Sequence, residues 1–116
     1  ILEEDRRKKV IKEMRRVLKK SGSIYLVEND IGGEFEEIRN RYPDIYRTKS
    51  YNDSLEDNGF DCYSKFETEF KFDNKIQAQN IFSNIWGNQI GNKVSNKIIK
   101  QNIIIYKSEK EVWNEK

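Results

Sequence analysis

The sequence predicts an α/β fold of about three strands with flanking helices, one strand of parallel type and the other two an antiparallel pair. Three observations predict it. Residues Ser23–Asn29 contain an apolar run, Ile24-Tyr25-Leu26-Val27, framed by Ser-Gly before it and Asn-Asp-Ile-Gly-Gly after it. Such a run reads as a short strand buried on both faces. A helical period over residues 3–20 leads into it, and a helix feeding a strand in this way suggests a parallel sheet. Towards the end, an alternating run and a wholly apolar run flank a further helix, which fits an antiparallel pair.

In chain order, Val10, Ile11, Met14, Val17 and Leu18 define the apolar face of the first helix. Acids in its first turns (Glu3, Glu4, Asp5) and Lys19 and Lys20 in its last complement the helix dipole, and Gly22 is its expected C′ residue. Its basic residues, Arg6, Arg7, Lys8, Lys9, Lys12, Arg15 and Arg16, read first as a solvated helix face, not a nucleic-acid patch. After the first strand, Gly32-Gly33 break the chain. Residues 34–41 form a short helix with Phe35 and Ile38 inward, ended by Pro43. Residues 42–50 are an irregular connection. A second short helix over 50–58 turns Tyr51 and Leu55 inward and closes at Gly59.

Residues 62–72 alternate, with Cys62, Ser64, Phe66, Thr68, Phe70 and Phe72 on one face and charged residues on the other, which suits a half-buried edge strand. Asp73-Asn74 caps a helix over 75–86 whose stripe is Ala78, Ile81, Phe82 and Ile85. Gly87 ends this helix, Gly91 breaks the polar stretch that follows, and Val94 is a packing candidate. Residues 98–107 contain Ile103-Ile104-Ile105-Tyr106, too apolar for an edge. The predicted sheet order is therefore first strand, last strand, middle strand. Residues 1–107 make one domain and 108–116 a charged tail.

Composition narrows the chemistry. The 116 residues allow a single domain. No run approaches the roughly 20 apolar residues of a membrane span, and no signal peptide is visible, so a cytoplasmic location is expected. One cysteine excludes an internal disulfide, and the absence of histidine removes the usual zinc ligand and the commonest general base. Cys62 has no histidine to activate it and is expected as a small core residue. The net charge of +2 is too small to argue for nucleic acid. The chain opens on Ile1, not methionine, which reads as a processed, cut or partly ordered product.

The segment Glu13-Met14-Arg15-Arg16-Val17-Leu18-Lys19-Lys20-Ser21-Gly22-Ser23-Ile24-Tyr25-Leu26-Val27-Glu28 resembles the helix-to-strand passage of class I S-adenosylmethionine-dependent methyltransferases. Their phrase is E-x-x-R-V-L-K-P-G-G before an apolar strand; here Lys20-Ser21 stands in place of Pro-Gly. Leu55-Glu56-Asp57-Asn58-Gly59-Phe60 resembles the family's next helix with its terminal Gly-Phe. An alternating strand, a helical insertion ending in Trp86-Gly87 and a last apolar strand then follow in the family's order, over roughly residues 8–107 in all.

The resemblance implies the C-terminal part of a Rossmann-like methyltransferase sheet, inactive alone, with an unknown acceptor. S-adenosylmethionine would bind the full-length protein. None is expected to bind this chain, because the family's Gly-rich turn and acidic residue belong to an absent N-terminal half. No catalytic, cofactor-binding or metal-binding residue is assigned. Glu28, Asn29 and Asp30, at the carboxyl end of the first strand, are the substrate-cleft candidates. Tyr42 and Tyr46 join them on an expected lid over 31–48. Trp86 is read as core in preference to a pocket wall. The first strand also needs a second neighbour, since an open apolar edge is a liability. The missing half or a second copy, as in a homo-oligomer, would cover it. The alternative is a non-catalytic α/β module that dimerises or binds a partner through that edge.

Overall fold

A computed structural model describes residues 4–40 and 47–109. Its elements are α1 (Glu4–Val17), β1 (Ser23–Asn29), α2 (Gly33–Arg39), α3 (Arg47–Asp57), β2 (Asp61–Lys71), α4 (Lys75–Trp86), α5 (Asn88–Gly91) and β3 (Ile98–Glu109). The strands form one sheet in the order β1-β3-β2, so the most apolar strand is central, as its composition requires. No described helix is long and apolar enough to cross a membrane.

The expected parallel-type strand is not found. β1 pairs with β3 antiparallel, from Ser23 opposite Glu109 to Asn29 opposite Ile103, and β2 also pairs with β3 antiparallel. β3 runs opposite to both of its neighbours, so β1 and β2 share a direction but are not adjacent, and neither has a parallel partner among the described strands. β1 is also buried on one face only. Ile24 and Leu26 pack inward, whereas Tyr25 is 50% and Val27 64% exposed. No described element covers their side of the sheet at this end, and no described strand pairs with the outer edge of β1.

Two cores sit at the sheet. Ile11, Ile24, Leu55, Phe60, Ile104 and Tyr106 join α1 and α3 to one face. Phe35, Ile38, Ala78, Phe82, Ile90, Val94 and Ile99 gather α2, α4 and α5 around the start of β3, with Phe70, Phe72 and Trp86 against them. Burying each large apolar side chain contributes about 1.5–3 kcal/mol. Trp86 packs against Phe82 at a tilt (centroids 5.0 Å apart) and edge-to-face with Phe35 (5.6 Å), so it belongs to this core.

α1 buries a different stripe from the one expected. Ile11, Met14, Arg15 and Leu18 face inward, while Val10 and Val17 are exposed. Arg15 is therefore not part of a solvated face. Its Nη2 donates to the Asn58 carbonyl at the end of α3 (2.7 Å) and to Ser108 Oγ of β3 (2.8 Å), and its guanidinium lies 5.2 Å from the Phe60 ring. A cation at a helix C-terminus satisfies the last carbonyls and the dipole together. Gly59 follows with φ +88°, and a Cβ there would come within 3.2 Å of that Nη2. Gly22 does not end α1: the helix stops at Val17, and the Gly22 N–H closes a separate turn onto the Lys19 carbonyl (2.8 Å).

On β2 the register shifts between Cys62 and Ser64. Beyond this bulge, Phe66 pairs with Ile103, but Cys62 pairs with Tyr106, whose side chain faces the other side of the sheet. A bulge breaks the two-residue alternation. Cys62 thus leaves the face of Phe66 and Phe70, and it is exposed, not a core residue.

α4 has the expected bounds, and the Asn74 side chain accepts from the Gln77 N–H (2.8 Å) as its cap. Its inward face holds Ala78, Gln79, Phe82 and Ser83, while Ile81 and Ile85 are exposed. α5 causes this rotation by folding back on the Gln79–Ser83 side. Gly91 lies so close there that a Cβ would sit 2.7 Å from the Gln79 carbonyl and clash with Ser83. Gly91 is thus a helix–helix contact within α5, not a breaker.

Candidate functional site

The carboxyl end of β1 brings three elements together. Glu28 points to the α1/α3 side of the sheet, as do Ile24 and Leu26. The Tyr51 hydroxyl of α3 donates to Glu28 Oε1 at 3.0 Å. Arg7 of α1 lies 5.0 Å above the Tyr51 ring and donates to Ser54 Oγ at 3.4 Å. Burial pushes the Glu28 carboxyl above the usual carboxylate range, and the Tyr51 hydrogen bond works against that shift. Burial, with the adjacent Glu28 charge and its hydrogen bond, pushes the Tyr51 phenol up to about 12. The pair is a half-buried carboxylate held by a neutral phenol, a group that can accept a proton from a bound hydroxyl or amine.

Asn29 is held from both sides. Its carbonyl accepts from Asn52 Nδ2 of α3 (2.9 Å), and its Oδ1 accepts from Gln101 Nε2 of β3. Asp30 turns the chain out of the sheet. Its N–H donates to the Asn102 carbonyl (2.9 Å), its Oδ1 accepts from the Ile31 N–H (2.8 Å), and its Oδ2 lies 3.7 Å from Lys65 Nζ of β2. Asp30 does not cap α2, whose N-cap is Gly32.

Three of the predicted cleft residues, Glu28, Asn29 and Asp30, are therefore adjacent, but Glu28 and Asp30 serve different partners. Tyr42 and Tyr46 lie outside the described residues; of the segment 31–48 expected as a lid, Gly33–Arg39 form α2, residues 41–46 lie outside the described residues, and α3 begins at Arg47. Sequence reasoning missed Asn52, Lys65, Gln101 and Tyr106, and placed Tyr51 inward without a role. Nothing in the local pattern of these residues marks them, since their partners lie 23 positions away for Tyr51 and Asn52 and 72 for Gln101. Beside Asp30 a cleft of about 140 Å³ opens between α3 and the strands, with Cys62, Ile104 and Tyr106 on the sheet side.

Among the described residues no group of three His, Cys, Asp or Glu side chains is placed to hold a metal ion. The one adjacent glycine pair, Gly32-Gly33, follows β1 and opens the seven-residue α2, close against Asn102. Comparisons with protein-family models, with curated proteins and with solved structures return no match.

Proposed function

We propose that this chain forms the C-terminal half of a class I S-adenosylmethionine-dependent methyltransferase domain, cytoplasmic and inactive by itself. In this reading it supplies the acceptor side of the site. The observation that carries it is the sheet itself. The central strand is the last of the described elements, and among the described residues β1 has no neighbour on its outer edge and an exposed face at Tyr25 and Val27. A strand edge and an apolar face left open together are what remains when a larger sheet is divided. The helix-to-strand phrase of residues 13–28 supports the same reading.

In this reading S-adenosylmethionine is held by the other half of the domain. What this half contributes is position. Glu28, held by Tyr51, orients an acceptor or takes its proton at the carboxyl end of β1. The sulfonium donor is already activated, so alignment supplies much of the rate.

The open edge also favours a second reading, an interaction module that adds a strand from a second copy or a partner to β1. Reading the codons upstream of Ile1 separates the two. The methyltransferase reading requires an apolar strand, a Gly-rich turn and an acid at the end of the next strand. Translation starting beside Ile1 overturns it and leaves the β1 edge as the functional surface.

A further inference from the structure

The hydrogen bonds of the sheet fix which backbone groups of β1 face outward. Just past the pair Asn29 and Ile103, the Asp30 N–H donates to the Asn102 carbonyl (2.9 Å). In an antiparallel pair, residues bonded to their opposite alternate with residues whose N–H and C=O point away. Ile24, Leu26 and Glu28 therefore bond β3, while Ser23, Tyr25, Val27 and Asn29 turn outward. The other side of β3 agrees. The Phe72 N–H donates to the Lys97 carbonyl (2.9 Å), so Ile99, Gln101 and Ile103 bond β2 and leave Asn102 and Ile104 for β1. The Asn29 carbonyl is taken by Asn52 Nδ2. The N–H and C=O of Tyr25 and Val27 thus form the middle of the outer edge, with no hydrogen-bond partner among the described residues.

The two edges of the sheet are built differently. β2 carries exposed Lys65, Glu67, Glu69 and Lys71 and a bulge after Cys62, devices that keep an edge from pairing. β1 has only Glu28, which is turned inward to Tyr51. The charges flanking β1 also select a partner. Exposed Lys19 and Lys20 precede the strand, and Glu28 and Asp30 close it. A second β1 laid antiparallel brings each acidic end to the basic start of the other, whereas a parallel copy sets like charges together. One antiparallel register uses the free groups best. With a twofold axis at Leu26, Tyr25 of each copy faces Val27 of the other, and every N–H and C=O of those two residues is bonded. A shift by two residues in one direction calls on the Asn29 carbonyl, which Asn52 already holds. A shift in the other leaves Val27 opposite Ser23 and loses the pairing of the two exposed apolar side chains.

We propose that the occupant of this edge is a second copy of the chain, paired β1 to β1 about a twofold axis at Leu26 into one six-stranded sheet. The inference rests on the reading of the β1 edge as an interaction surface and names its partner and register. In the methyltransferase reading, the copy stands in the isolated chain where the upstream half stands in the whole protein. The test is sedimentation of the 116-residue chain beside Tyr25→Glu, Val27→Lys and the double variant. Both positions are exposed, and the acid goes at 25 because Lys107 lies opposite it within the chain. Each single variant should weaken association about tenfold, since the twofold axis counts each change twice. The double variant should recover to within about threefold of the natural chain, because the acid of one copy meets the base of the other. Amide exchange in the natural chain should also slow at Tyr25 and Val27 as concentration rises, a readout that needs no variant. A chain that stays monomeric, or associates equally with either single variant, overturns the proposal together with the edge reading. A chain weakened by both single variants and weakened further by the double variant overturns the twofold register alone, since a shifted register sets like charges opposite.

Discussion

Tyr51 of α3 donates its phenolic hydrogen to the Glu28 carboxylate of β1 across 3.0 Å, and this bond ties the end of the strand to the helix that covers it. Burial raises the Glu28 carboxyl from its ordinary value of 4.5. In the folded chain Glu28 therefore keeps its proton to a higher pH than it does unfolded. Its contribution to stability is greatest below about pH 4.5 and is lost as pH rises through the raised folded value. Glu28→Gln removes that dependence. Urea unfolding across pH should show the variant gaining on the natural chain from about pH 4.5 upward. A difference that stays constant with pH contradicts the assignment.

Arg15 and Arg16 are neighbours with very unequal predicted effects. Arg15 joins α1 to the end of α3 and to β3, whereas Arg16 makes an exposed pair with Glu13. Arg15→Ala should cost roughly 2–4 kcal/mol of unfolding free energy, by loss of charge-assisted bonds in a buried setting. Arg16→Ala should stay within about 0.5 kcal/mol. Similar costs for both, measured by denaturant unfolding, would return Arg15 to the solvated face.

Gly91→Ala should destabilise by about 1–3 kcal/mol, because a methyl group there meets the Gln79 carbonyl and Ser83. Thermal unfolding checks this. A neutral effect would mean that α5 does not lie against α4 as described.

The β1 edge, which has no partner strand among the described residues, should make the isolated chain self-associate. Val27→Lys places a charge on the exposed face of that strand, a device by which natural edges resist pairing. Sedimentation should find the natural chain in a concentration-dependent equilibrium and the variant shifted towards monomer. A natural chain that is monomeric at all concentrations contradicts the prediction.

Much of the fold was legible because local chemistry marks its boundaries. Ser-Gly and Asn-Asp frame β1, Asn74 and Gly87 frame α4, and the contrast between an apolar and an alternating strand ordered the sheet. The misreadings came from tertiary contacts with no local signature. A single bulge turned Cys62 to the other side, α5 rotated the buried face of α4, and a buried arginine looked like one more basic residue of α1. For the candidate site, the end of an apolar run located Glu28, Asn29 and Asp30. What holds them, Tyr51, Asn52, Gln101 and Lys65, is distant in sequence and came into view only with the fold.

The central claim is that this chain completes a cofactor-binding domain whose other half lies upstream. The most direct measurement is a calorimetric titration of the gene's entire translation product with S-adenosylmethionine, beside the same titration of residues 1–116. The account predicts saturable binding by the entire product and none by the 116-residue chain. An entire product that does not bind S-adenosylmethionine contradicts it.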